Sequence, residues 1–452
     1  MIRDVVILGA GFSGTLQAIN LLRHGGPRAT LVERSARLGR GVAYSAAHPS
    51  HLLNVRAANM SALPDDPGHF VRWLQERGKG DGASFVPRIT YGAYLAELLD
   101  EAVAAAPDRL RIVRGDAIDI EPGDAGDGYA VLLAGGGRIH ADAVVLAVGN
   151  LPPHAPPGLD PAAIERDHYA EDPWAGDIAN GLTDGDLVLM IGTGLTMVDA
   201  ALLLEERGFR GRILALSRRG LVPRAHAPGP PVSTQLGERP PIAATALLRE
   251  VRARADAIGW RAAVDELRPY SQGMWLAADA DTRARFLRHL RPWWDVHRHR
   301  LAPEVAARLE GMRASGRLDF VAGRTLAFRD GAAGVEVDWR PRGAKAIETL
   351  LARRVVNCSG PLIDLDRTEE PLLANLRARG VIRPDPSHIG LDVDPQARVI
   401  GRSGRADPRL FALGPLTRGA FWEVVAVPDI RVQTWNLARR LSNAHWIGGE
   451  GL

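Results

Sequence analysis

The chain of 452 residues contains one cysteine and two lysines, Lys79 and Lys345, and each scarcity narrows what it can do. A lone Cys358 cannot form an intrachain disulfide, a CxxC redox pair or a cysteine zinc site, which excludes a dithiol reductase. With lysine nearly absent, almost all positive charge is arginine, and the formal net charge is only +3. No basic run is interleaved with aromatics in a known module, so nucleic acid is not an expected partner. No apolar run approaches the roughly 20 residues that a membrane span needs. The first strand begins at Asp4, which leaves no signal-peptide layout, so a soluble, cytoplasmic protein is expected. Apolar residues at 46% and charged residues at 24% describe a globular chain, too long for one ordinary core.

What is present begins with "VVILGAGFSG". Val5 to Leu8 read as a parallel strand buried on both faces, and Gly9, Gly11 and Gly14 follow in GxGxxG spacing. A helix with Leu16, Ile19 and Leu22 on one side comes next, then the strand "ATLVER" ending at Glu33, 19 positions after the last glycine. Gly9 allows a tight turn, Gly11 lets the backbone approach a pyrophosphate, and Gly14 lets helix and sheet pack closely. The helix N-terminus, with Phe12 and Ser13, faces the pyrophosphate, while Glu33, followed by Arg34, accepts from the adenosine ribose. Residues 39–73 lack a clean period and form a long connection, a place where function concentrates; Asn54 within it is a candidate for cofactor contact and catalysis. The apolar strand "DAVVLAVGN" ends at Gly149–Asn150, and the proline-rich 151–158 closes the first lobe.

A second strand–turn–helix–strand unit runs from Asp186 to about Arg219. Its turn carries Gly192 and Gly194, then Leu195 and Thr196, with Met197 where a third glycine or alanine would stand. The second strand ends in Ser217, Arg218 and Arg219 in place of an acid. An acid there selects a free 2′-hydroxyl, whereas a hydroxyl with guanidinium groups suits a 2′-phosphate. One dinucleotide needs one turn, so two turns imply two nucleotides and a transfer between them.

Residues 227–240 form a Pro/Gly-rich loop, and from Ile242 to Arg317 the pattern turns helical. His297 and His299 in "RPWWDVHRHRLAP" would point about 200° apart on a helix, so no metal site is expected. They fit a solvated or Arg–Asp-paired face near the substrate. Strands resume at "LDFVAGRTLAF" and "GVEVDW"; "RRVVNCSGP" (353–361) repeats the design of "ADAVVLAVGN", and "PRLFALGPLTRG" is a third such strand. A last helix starts near Pro428 and buries Ile430, Leu437 and Leu441. The expected fold is α/β, with two dinucleotide-binding Rossmann-type domains, the second inserted into the first. The domains run 1–155, 156–345 with a helical insertion at about 240–317, and 346–452, the last completing the first.

The stretches "GAGFSG", "HLLNVRAANMSALPDDP", "RITYGAYL", "DPWAG", "IGTGLTMVDAAL", "LSRRGLVPRAH", "WWDVHRHRLAP" and "GPLTRGAFWEVVAVPDIRVQ" carry a resemblance. The chain is similar to the uncharacterised FAD/NAD(P)-binding protein family, which is related to class B flavin-dependent monooxygenases. That resemblance implies FAD in the first unit and NADPH in the second. It implies a flavoprotein oxidoreductase that hydroxylates a nitrogen or sulfur nucleophile of a small molecule with dioxygen. The alternatives are an NADPH-dependent flavin dehydrogenase or reductase without oxygen insertion, and a non-catalytic nucleotide or redox sensor. In the family an Asp after a C-terminal glycine holds the flavin ribitol; here Gly414 is followed by Pro415, and no acid occurs until Glu423. The FxGxxxHxxxW pattern of ketone-oxygenating members is absent. Pro428 at the start of the last helix places Trp422 and Glu423 at the flavin edge, as candidates to close the pocket and to pair with a substrate amine or arginine.

Overall fold

The computed structural model describes residues 2–45, 48–123, 128–228 and 235–442. Part of the Pro/Gly-rich loop (229–234) and the last ten positions of the chain (443–452) lie outside them. Two open sheets organise the described residues. The first has the order Arg398–Ile400, Ala406–Ala412, Ala143–Leu146, Asp4–Leu8, Arg28–Glu33, Leu110–Arg114. All neighbours are parallel except the Arg398–Ile400 edge. Val5 to Leu8 are almost wholly buried, as a central parallel strand covered on both faces requires. A three-stranded antiparallel sheet (Ala117–Pro122, Tyr129–Leu133, Arg138–Ala141) interrupts the run before Ala143–Leu146.

The second sheet has the order Glu348–Ala352, Gly334–Pro341, Leu318–Gly331, Arg212–Ser217, Leu187–Ile191, Arg354–Asn357, Tyr169–Ala170. Five of its strands run parallel; Gly334–Pro341 and Glu348–Ala352 add an antiparallel extension. Its strands all lie in sequence between Ala143–Leu146 and Arg398–Ile400 of the first sheet. The chain therefore leaves one sheet, builds another and returns. The return comes later than the sequence suggests: Glu348–Ala352 and Arg354–Asn357 pair in the second sheet, not the first. An apolar strand such as "RVVN" is equally buried in either sheet, and only its distant partner, Leu187–Ile191, decides.

Both glycine turns sit at the ends of first strands. Gly9 has φ +104°, and a Cβ there would stand 2.5 Å from the Ala147 carbonyl oxygen. Gly192 has φ +119°, and its Cβ would stand 2.2 Å from the Cys358 carbonyl oxygen. In each case the neighbour follows the adjacent parallel strand, so the same close approach is built twice. The helices begin at once, Phe12–Arg23 and Leu195–Glu206. Met197, buried in the core under the second sheet, keeps the turn intact without a third glycine.

The helical insertion comprises Ala244–Ile258, Trp260–Asp265, Arg268–Ala277, Ala280–Arg285, a π turn Phe286–Leu290 and Arg291–Arg298. Pro303–Ala314 belongs to the second sheet instead, since Val305, Leu309 and Met312 pack in that sheet's core and the helix leads into Leu318–Gly331. No described helix is long and apolar enough to cross a membrane.

Candidate active site

A cleft of about 300 Å³ opens over the first turn. Gly9, Gly11, Phe12, Ser13, Glu33, Arg34, Gly149 and Pro415 all line it, together with the Tyr44 face of the segment after the second strand. A Cβ on Gly11 would touch only Gly41, at 3.5 Å, so the protein itself does not forbid a side chain there. What Gly11 leaves free is the cleft. The helix Phe12–Arg23 has no side-chain cap at Gly11, so its first N–H groups and its positive dipole end are presented to whatever fills the space. Gly14 is different: a Cβ would lie 1.8 Å from the Gly9 carbonyl oxygen, so helix and strand pack too closely for any other residue.

Glu33 ends its strand with both carboxylate oxygens engaged, Oε2 accepting from Ala10 N and Oε1 from Ser35 N, each at 2.7 Å. Each oxygen retains a further lone pair, and the carboxylate is fixed at the position where a ribose hydroxyl would donate. Arg34 is held by Glu370 at 2.8 Å. Gly149 has φ +74° and open space around it.

Gly414 is buried beside the cleft lining rather than in it; its neighbour Pro415 lines the cleft. Gly414 has φ +75°, and a Cβ would press on Ser13 Oγ at 2.4 Å. Its N–H donates to Gln433 Oε1 at 2.8 Å, and Gln433 Nε2 donates to Thr417 Oγ1 at 3.0 Å. This buried side chain, from the last helix Val427–Leu441, holds the Gly414–Pro415 turn where an acid is missing. Sequence reasoning overlooked it, because a glutamine 19 positions downstream carries no local signal.

Trp422 and Glu423 are not at the cleft. From their segment Pro415, Val425 and Val427 line it instead. The turn bonds Phe421 N to Thr417 O and Val424 N to Phe421 O fold the loop so that Trp422 and Glu423 face the helical insertion. Trp422 stacks on Trp275 at 4.6 Å between centroids and meets Phe286 edge-on at 5.2 Å. Glu423 is buried, accepting from Trp294 Nε1 at 3.1 Å, with Arg298 Nε 3.2 Å from its other oxygen. A loop's direction depends on turns that the glycine and proline pattern did not reveal.

Asn54 likewise does not line the cleft; it is half-buried at the junction of the lobes, its backbone oxygen accepting from His226 Nε2 at 2.9 Å. Nearby, Arg88 Nη2 is 2.8 Å from the buried Asp199, which sits on the second-turn helix. His51, 1% exposed, completes this clasp, and burial beside Arg88 lowers its pKa to about 4.

At the second turn, Gly194 has nothing within 4 Å of where a Cβ would stand, and the helix Leu195–Glu206 starts there without a side-chain cap. Leu195 and Thr196 form its half-buried first turn. Ser217 Oγ is 2.9 Å from Thr193 Oγ1, which donates to Leu221 O at 2.5 Å, so the Ser217 proton is committed to Thr193. Ser217 also accepts from Gly220 N at 3.0 Å. Its hydroxyl therefore pins the turn, which differs from a free phosphate ligand. Arg219 Nη2 donates to Arg288 O of the helical insertion at 3.0 Å, while Arg218 is exposed at the strand end.

His297 and His299 diverge, as their spacing indicates. His297 Nδ1 donates to Trp293 O, 2.8 Å away, and the ring packs edge-on against Trp260. His299 turns inward among arginines, and burial with those charges lowers its pKa to about 3.

Residues 6–151 match a family model described as FAD-NAD(P)-binding. An uncharacterized protein of Mycobacterium tuberculosis is 25% identical over 420 residues, covering 82% of this chain and 76% of that one. An L-aspartate N-monooxygenase (nitrosuccinate-forming) of Streptomyces cremeus is 34% identical over 176 residues, 35% of this chain and 26% of that one. Among solved structures, L-lysine 6-monooxygenase from Pseudomonas syringae superposes with a TM-score of 0.69 at 16% identity. That match covers 98% of this chain and 100% of the other, so the two share a fold.

Proposed function

We propose that this protein is an FAD-dependent, NADPH-using monooxygenase that hydroxylates a nitrogen of a small molecule. The observation that carries the reading is the pair of uncapped helix N-termini, each behind a glycine turn at the end of a parallel strand. Each sheet is then one dinucleotide-binding domain, the second inserted into the first. The relatives favour nitrogen over sulfur: one is named for N-oxygenation of aspartate, and the shared fold is that of a lysine monooxygenase.

The residues fit FAD in the first cleft. Gly11 and the first turn of Phe12–Arg23 would meet the pyrophosphate, Glu33 the adenosine ribose, and the backbone of Gly414–Pro415, held by Gln433, the ribitol side. They fit NADPH at the second, with Gly194, Leu195 and Thr196 at the pyrophosphate and Arg218 at the 2′-phosphate. Bound flavin would supply electron transfer from the nicotinamide and reaction with dioxygen. The chain's own part is placement. The buried Arg88–Asp199 pair ties a first-lobe helix to the helix behind the second turn, which fixes one nucleotide site relative to the other. A cytoplasmic setting suits a chain with one thiol.

The test is NADPH-driven oxygen uptake by the FAD-loaded protein over a panel of amines and amino acids, with mass spectrometry for a product one oxygen heavier. Coupled uptake and oxygenated product support the proposal. NADPH oxidation that needs an acceptor other than oxygen would make the protein a reductase instead.

A further inference from the structure

Where the helical insertion meets the loop after Gly414, buried positive charge exceeds the negative charge facing it. Four arginines, Arg268, Arg291, Arg298 and Arg418, surround His299. Three carboxylates answer them. Arg268 reaches Asp429 at 3.1 Å, Arg291 is 3.4 Å from Asp295, and Arg298 is 3.2 Å from Glu423. The neighbouring Asp265 is occupied by Arg300, which grips both of its oxygens at 2.9 Å.

The pairing is also imperfect in geometry. Arg298 Nε and Glu423 Oε2 are close, yet both are buried without a hydrogen-bond partner. Arg418 is worse off. Its nearest acid is Asp295 at 4.0 Å, its Nε is buried and unpartnered, and no hydrogen bond from the described residues reaches its guanidinium. The side chains of Arg298 and Arg418 are only 11% and 12% exposed. Their guanidinium groups are depressed in pKa, Arg418 to about 10, first by burial. Buried, incompletely paired guanidinium groups are costly to keep unless something else completes them.

The cluster is joined to the first cleft through the chain. Arg418 lies three residues after Pro415, and Glu423 two before Val425, both of which line that cleft. On its other side, Leu301 N donates to Arg224 O at 2.8 Å and His226 N to Leu301 O at 2.9 Å. His226 in turn reaches Asn54, so the end of the helix Arg291–Arg298 is drawn towards the junction of the lobes.

We propose that Arg298 and Arg418 bind a carboxylate of an amino-acid substrate beside the first cleft. Trp422 supports the Arg418 guanidinium, which lies 4.4 Å over its ring, and Glu423 orients Arg298. A planar fork of donors matches a carboxylate, and one excess positive charge matches one carboxylate rather than a dianion. That the ligand also carries the amine to be hydroxylated rests on the proposed function; carboxylate binding itself does not.

The experiment is calorimetric titration of the FAD-loaded protein, without NADPH, using L-aspartate, L-ornithine, succinate, cadaverine and inorganic phosphate as probes. At least one carboxylate should bind saturably and more tightly than cadaverine and phosphate. That affinity should fall at least tenfold in Arg418→Gln and in Arg298→Gln, hold in the exposed Arg249→Gln, and fall less in Arg418→Lys. Tryptophan fluorescence should change on binding in the parent protein and not in Arg418→Gln. Flavin absorbance and melting temperature report whether each variant is folded, and Arg418→Lys serves if Arg418→Gln is not. Carboxylates that bind no better than cadaverine or phosphate, or unchanged affinity in a folded Arg418→Gln, would overturn the proposal. Because no turnover is measured, a protein that binds carboxylates yet consumes no oxygen would refute the monooxygenase reading alone.

Discussion

In the first turn a Cβ on Gly9 would meet the carbonyl of Ala147, and in the second a Cβ on Gly192 would meet that of Cys358. The same steric device serves both turns, and the chain differs only in what surrounds it. The first helix is buried along ten of its twelve residues, its third glycine is required by a 1.8 Å approach, and its strand ends in a fixed carboxylate. The second tolerates Met197 and ends in arginines, with open space around Gly194. An enclosed cleft with an acid suits a nucleotide that stays. An open turn with a free guanidinium suits one that comes and goes. On the proposed reading, the difference in surroundings separates a resident cofactor from an exchanging cosubstrate.

Breaking the first turn should have the largest effect. Gly11→Val puts a branched side chain into the cleft while leaving the protein's own packing clear, so it should fold and lose bound FAD. Losing two or more charge-assisted hydrogen bonds of about 1.5–3 kcal/mol each gives a fall on the order of 100-fold or more in FAD affinity. Flavin absorbance after gel filtration checks it, and full flavin content would refute the assignment. The matching change in the second turn, Gly194→Val, should keep FAD and raise the KM for NADPH by roughly 30-fold, as one such contact is lost. Loss of flavin in that variant would erase the distinction between the turns.

The junction between the lobes should be acid-sensitive. His51 titrates at about 4 in the folded chain, against an ordinary value near 6.5. The unfolded chain therefore binds the proton first, and stability held above pH 6.5 is lost progressively as pH falls towards 4. The loss at pH 5 should be about 2 kcal/mol, a factor of about 30. His51→Gln should flatten that part of the stability profile, measured by denaturant unfolding; an unchanged slope would show that His51 does not carry it.

The smallest effect concerns Ser217, Arg218 and Arg219. Arg218→Ala should cut the preference for NADPH over NADH about tenfold, one charge-assisted contact. Arg219→Ala should change it less, because that side chain is already bound to Arg288 O. Ratios of kcat/KM for the two nucleotides decide, and a larger effect of Arg219 would reverse the order.

Both turns were legible in the sequence because their causes are local. Strand, glycine spacing, helix and terminal acid or base all fall within about thirty residues, and the structure puts Gly9, Gly11, Glu33, Gly192 and Gly194 where that pattern requires. The later boundary was not legible, since "RVVN" joins the second sheet through a partner more than 160 positions away. Neither was the direction of Trp422 and Glu423, which is set by turn hydrogen bonds and by packing against a helical insertion 130 residues earlier. The arginine cluster was hidden by abundance. In a chain whose positive charge is nearly all arginine, "WWDVHRHR" and "TRGAF" gain meaning only when folding leaves their guanidinium groups buried and short of partners.

On the proposed function, electrons enter at the second turn and reach a flavin held at the first. Anaerobic mixing of the FAD-loaded protein with NADPH or NADH, followed by flavin absorbance, tests it most directly. NADPH should bleach the flavin, about tenfold or more faster than NADH at limiting nucleotide, and Gly194→Val should slow this without loss of flavin. Flavin that stays oxidised with NADPH, or is reduced as fast by NADH, would contradict it.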